Sequence, residues 1–169
     1  MEQLDRVIQD ATAAIDGEYF LLPVHGADAV RRERVYCYEL YHQMRLRWPA
    51  TPFRLNGEID KGGHPYFPGK GGKPKPDLLV HVPGGGDNCA VIEVKSSRAK
   101  AKEIRKDLKT LCQFRALGYQ RSIYLVYGAE AVLRRIERFG VETAFPIEVW
   151  FHAAVHVPAE RAFVLTPRE

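Results

Sequence analysis

The sequence predicts an α/β fold, a mixed β-sheet flanked by helices, and three observations lead there. Short β-branched runs at 53–60, 77–82 and 89–95 are separated by turn chemistry. A long amphipathic helix, about 98–117, lies between two apolar strand-length runs, so the chain must cross over and pair those strands in parallel. Helical stripes precede the first strand and follow the fourth, giving the core order helix, three strands, helix, strand, with an added N-terminal helix and a C-terminal helix and strand. The 169 residues suit one domain spanning 1–169.

Leu4, Val7, Ile8, Ala11 and Ile15 recur at helical spacing, so 2 to about 16 should be a helix ending before Gly17. A turn at His25-Gly26-Ala27-Asp28 leads into a second helix, about 28–48, stopped by Pro49. Its stripe is Cys37, Leu40, Tyr41, Met44 and Trp48, and counting back four from Cys37 puts Glu33 on that face, with Glu39 roughly opposite. Residues 53–60 form the first strand, with Glu58 and Asp60 on one face. A glycine-, proline- and lysine-rich stretch follows to residue 76, too long for a plain connection, and reads as a flexible loop. It carries Lys61, Lys70, Lys73 and Lys75 beside Tyr66 and Phe67, residues suited to phosphate contact and base stacking.

The next two strands, from Asp77 to Val82 and from Cys89 to Lys95, enclose the turn Pro83-Gly84-Gly85-Gly86-Asp87-Asn88. Pairing Val82 with Cys89 places Asp77 beside Val94, and Glu93 and Lys95, two apart, leave one face of their strand. Two carboxylates can hold a hard divalent cation through oxygen, and a lysine beside them can stabilise charge on phosphoryl oxygens under attack. Phosphodiester hydrolysis needs those parts.

Pro76-Asp77, fifteen intervening residues, then Glu93-Val94-Lys95 resemble the PD-(D/E)xK, or restriction-endonuclease-like, nuclease superfamily. The resemblance covers about residues 30–127. It implies a restriction-endonuclease-like core, Mg²⁺-dependent cleavage of nucleic acid with Mn²⁺ able to substitute, and Asp77, Glu93 and the Val94 carbonyl as metal ligands. Lys95 would be the catalytic lysine. A glutamate on the helix before the sheet often completes such a site, a place Glu33 fits better than Glu39. By the same resemblance Glu58 on the first strand and Gln113 on the helix after Lys95 are secondary candidates.

That helix packs through Ile104, Leu108 and Leu111 and shows Lys102, Lys106, Lys109 and Gln113 on another face. From Lys95 to Arg121, the cations Lys95, Arg98, Lys100, Lys102, Arg105, Lys106, Lys109, Arg115 and Arg121 stand against only Glu103 and Asp107. Such a run suits a phosphate backbone track. Residues 122–127 form a buried strand, 129–139 a helix with Gly140 as its cap, and 146–152 a last strand.

Composition narrows the rest. Hydrophobic residues at 46% and charged residues at 27%, with no apolar run near the roughly 20 residues of a membrane span, describe a soluble chain. The N-terminal stretch lacks a signal-peptide pattern, so a cytoplasmic protein is expected. Cys37, Cys89 and Cys112 are scattered, and the six histidines lack zinc-ligand spacing. The net charge of +4 permits an anionic partner. The expectation is a Mg²⁺-dependent nuclease, acting on DNA ahead of RNA and reliant on a protein partner for targeting, as nuclease modules of bacterial defence and repair systems often are. The rival is a non-catalytic nucleic-acid-binding or assembly subunit that keeps the fold.

Overall fold

The structure, a computed structural model, describes residues 2–58, 74–139 and 143–167. Six strands form one mixed sheet in the order β3-β4-β5-β6-β7-β8: β3 is Arg54–Gly57, β4 Leu78–His81, β5 Asn88–Ser96, β6 Arg121–Tyr127, β7 Ile147–His152 and β8 Glu160–Leu165. β5, β6 and β7 run parallel, and both ends of the sheet are closed by antiparallel strands. Helix α4, Ala101–Ala116, makes the crossover from β5 to β6, and α5, Ala131–Glu137, the one from β6 to β7. Both pack on one face, against Leu79, Val91, Tyr124, Val126 and Val149. The other face, carrying Leu78, Val80, Ile92, Val94 and Leu125, is covered by α1, Glu2–Ala13, α2, Gly17–Phe20, and α3, Glu33–Leu46. The period-2 alternation of β4 and β5 thus feeds two separate cores.

The fold departs from the sequence reading at several places. The second helix starts at Glu33, because Ala27–Val30, β2, pairs antiparallel with Leu22–Val24, β1, around Gly26, whose φ of 72° suits glycine. Its buried stripe is Tyr36, Cys37, Leu40 and Met44, while Tyr41 and Trp48 are only half-buried. The first strand ends at Gly57, since Glu58 turns into the left-handed region at φ 44°. In the hairpin, His81 faces Asn88, two residues from the expected register, and an irregularity between Val80 and His81 recovers one of them, so Leu78 faces Ile92. One residue outward stand Asp77 and Glu93, where the sequence reading paired Asp77 with Val94. β8 was not foreseen, because its charged first half hides the alternation. Lys61, Lys70 and Lys73, with most of the loop and the cap at Gly140, lie outside the described residues.

Two contacts fix the layers. Arg121, buried at the start of β6, bonds both oxygens of Glu148 on β7 at 2.7 and 2.6 Å and pairs with Asp5 of α1 at 2.6 Å. On the same face Tyr36 stacks on Tyr127, with ring centroids 3.8 Å apart, and its hydroxyl meets His152 Nδ1 at 2.7 Å. Burial lowers the His152 pKa to about 4, so that imidazole is neutral at pH 7. Removing Arg121 strands two carboxylates, so Arg121→Ala should cost about 2–4 kcal/mol of unfolding free energy. Urea denaturation at neutral pH measures it, and Glu148→Gln should cost less.

Candidate active site

Pro76 is buried and ends the chain's approach to the sheet, which leaves Asp77 at the mouth of β4. There the Asp77 carboxylate accepts the Val94 N–H at 2.7 Å, while its carbonyl accepts the Glu58 N–H at 2.9 Å. Glu93, only 6% exposed in the middle of a nearly unbroken buried strand, lines the same cleft as Asp77, and its pKa is raised in common with that neighbour's. Two residues on, alternation returns Lys95 to the same face. Its Nζ lies 2.7 Å from Glu33 Oε1 and 3.2 Å from Asp107 Oδ2. Glu33 stands at the first turn of α3 and also accepts the Ser96 N–H at 3.4 Å. Asp107 is buried in the middle of α4, with the Tyr124 hydroxyl donating to it at 3.5 Å.

These side chains line one open cleft of about 490 Å³, whose far wall on α4 carries Lys106, Lys109 and Gln113, with Lys75 on its near side. Lys106, Lys109 and Gln113 are exposed. The cleft therefore has an acidic floor and a basic rim.

Burial shifts the acids in one direction. It raises the Asp77 pKa, although the Val94 N–H and the neighbouring Glu93 carboxyl group oppose it. It raises Glu93 further, aided by the negative charges of Asp77 and Asp107. Asp107 is pushed up to about 6 by burial, against the pull of Lys95. Burial alone would lower Lys95, but Glu33 and Asp107 outweigh it and hold the ammonium above its usual range. One ammonium thus sits among four acidic side chains, from α3, β5, α4 and the residue before β4, an excess of negative charge that a proton or a cation must compensate.

A divalent cation fits this arrangement. Asp77 and Glu93 line one cleft, so their oxygens can serve one ion, and Lys95 is engaged by Glu33 and Asp107. Among the described residues, no three or more His, Cys, Asp or Glu side chains form a ready metal cage. A cation here would rest on two carboxylates with main-chain and solvent oxygen to complete it. Glu33, expected as a further metal ligand, comes to the site through Lys95 and the Ser96 N–H.

The remaining candidates separate. Glu39 accepts from Gln43 Nε2 at 2.6 Å and does not line the cleft, whereas Glu33 does. Glu58 pairs with Lys75 at 3.3 Å and Arg34 at 3.9 Å, on the far side of Asp77. Arg98 and Lys102 are exposed but outside the cleft lining. Asp107 was missed, having been counted only as an acid in a basic run. The signal existed: three after Ile104 and four before Leu111, it falls inside the apolar stripe, where a carboxylate needs a partner.

No protein-family model, no curated protein and no solved structure matches the chain.

A carboxylate whose folded pKa is raised stabilises the fold while protonated and loses that contribution as pH climbs from its unfolded value to its folded one. For Asp107 the window runs from about pH 4 to about pH 6, and Glu93, raised chiefly by burial, acts in the same direction. Metal-free protein should therefore lose stability across that range, and Glu93→Gln and Asp107→Asn should each flatten the slope in urea titrations at stepped pH.

Proposed function

We propose that the chain is a metal-dependent nuclease with a restriction-endonuclease-like core, hydrolysing phosphodiester bonds in nucleic acid, DNA ahead of RNA. The observation that carries this reading is that Asp77, just before β4, and Glu93 on β5 line one cleft with Lys95, two residues on, and with lysines at its rim. The order α3, β3, β4, β5, α4, β6 supports the core. It is the order that the Pro76-Asp77 and Glu93-Val94-Lys95 resemblance implies.

Asp77 and Glu93, with the Val94 carbonyl, would hold Mg²⁺, which when bound lowers the pKa of an attacking water and offsets charge on the phosphoryl oxygens. The chain's own contribution is positional. The Val94 N–H anchors the Asp77 carboxylate, so the two acids are aligned before any ligand arrives. Glu33 and Asp107 grip Lys95 from two helices and keep its ammonium charged, which places a donor beside the scissile phosphate as negative charge develops there. Lys106 and Lys109 supply salt-sensitive contacts to the flanking phosphates. Asp107 is a positioning residue in this scheme, acting through Lys95.

The engagement of Lys95 by two carboxylates also favours a second reading, a subunit that binds nucleic acid without turnover. Purified protein with Mg²⁺ or Mn²⁺ and labelled DNA and RNA separates the two. Cleavage should vanish with chelator, with Asp77→Ala and with Lys95→Ala, while Glu93→Gln keeps binding. Asp107→Asn should lower kcat by about 10- to 100-fold, the usual cost of losing a group that orients a site residue. Retention on DNA that ignores both Mg²⁺ and Glu93→Gln, with no cleavage at all, would establish the binding subunit instead.

A further inference from the structure

Asp77 separates two hollows. Beyond the acidic cleft, on the side of α3 and β3, lies a second one of about 340 Å³, within the size range of small-ligand pockets. Its walls are mostly apolar: Tyr38 and Tyr41 from α3, Gly57 from the end of β3, and Leu78, with Glu58 and Asp77 at its polar side. Tyr38 is 57% exposed, one of few large apolar side chains left so open among the described residues. Tyr38 and Tyr41 are three apart and so share a helix face. The wall at β3 is thin because Gly57 has no side chain; a Cβ there would stand 3.7 Å from Tyr41 Cδ2.

The polar side is built as well. Glu58 holds the left-handed φ of 44°, a conformation that costs a glutamate free energy, and its N–H bonds to the Asp77 carbonyl. Its carboxylate is paired with Lys75 and Arg34, whose side chains are 49% and 73% exposed. Two accessible cations therefore flank an aromatic hollow that shares Asp77 with the acidic cleft.

We propose that this hollow receives the unpaired base of the nucleotide next to the cleaved phosphodiester, so that the substrate is single-stranded or locally melted nucleic acid; this rests on the nuclease reading of the neighbouring cleft. A phosphate at Asp77 and Glu93 brings its neighbouring sugar and base to the other side of Asp77, where Tyr38 and Tyr41 offer aromatic surface. Every base has a π-face, so stacking there is sequence-tolerant, and Lys75 and Arg34 sit where the next phosphate would pass. A base inside an intact duplex cannot enter without leaving its stack.

The test places the fluorescent base 2-aminopurine at successive positions of a single-stranded DNA oligonucleotide and follows both its quenching and cleavage with Mg²⁺. Quenching should be strongest at one position beside the cleaved bond, weaker in Tyr38→Ala and Tyr41→Ala, and retained in Tyr38→Phe. Gly57→Val, which fills the hollow from the strand side, should also weaken it. An abasic residue at that position should lower wild-type kcat/KM by about tenfold, the scale of one lost stacking contact, and should have no further effect in Tyr38→Ala. Cleavage with uniform quenching, and Tyr38→Ala and Gly57→Val cleaving like wild type, overturns the base pocket and leaves the nuclease standing. Local quenching that depends on Tyr38, without cleavage by the wild-type protein, overturns the nuclease and keeps a base-binding hollow. Intact duplex cleaved faster than single strands also overturns the pocket.

Discussion

The Lys95 ammonium is held from both sides of the sheet. Glu33 reaches it from the first turn of α3, which covers one face, and Asp107 from the middle of α4, which covers the other. Its pair with the buried Asp107 is a poor source of net stability, because desolvation consumes most of the Coulomb gain, and its pair with the more exposed Glu33 is screened by solvent. What it does supply is position: the two helical layers are referenced to one atom, and the strand carrying Glu93 is fixed between them. Without Lys95, Glu33 and Asp107 would add their charges to those of Asp77 and Glu93 in one cleft.

A second constraint sets where Glu33 stands. Tyr36, one helical turn after it, is stacked on Tyr127 and bonded to His152, so the start of α3 is tied to the ends of β6 and β7. Phe20 of α2 closes the group edge-on, with its centroid 4.9 Å from that of His152. The Glu33 carboxylate thus reaches Lys95 because a buried aromatic cluster sets the rotation and height of the helix that carries it. This cluster, on the face away from α4, does for Glu33 what the Val94 N–H does for Asp77.

Much of this was readable in the residues. Asp77, Glu93 and Lys95 follow from two apolar runs, a turn and strict alternation, all local signals. Glu33 over Glu39 follows from the spacing to Cys37. What sequence could not supply was non-local. The hairpin register depends on how its turn closes and on the irregularity beside His81, and β1 and β2 are too short to show a period. Asp107 was hidden because its surroundings are basic in sequence and apolar in space. β8 gains its identity only from β7, which it borders.

β6 is buried at all seven of its residues and is paired along its length by β5 and β7. Its amide protons can exchange with solvent only when the whole sheet opens, whereas the β1–β2 hairpin and the outer strands β3 and β8 can open locally. Glu93 and Lys95 lie on the strand next to that slow centre, while Asp77 and Glu33 sit toward faster-exchanging ground. The two halves of the cleft therefore differ in how rigidly they are clocked: a ligand bridging them would leave deuterium uptake at β5 almost unchanged and slow it at the start of α3 and along β3 and β4. Occupancy of the cleft would be read most clearly in the part of the protein that breathes.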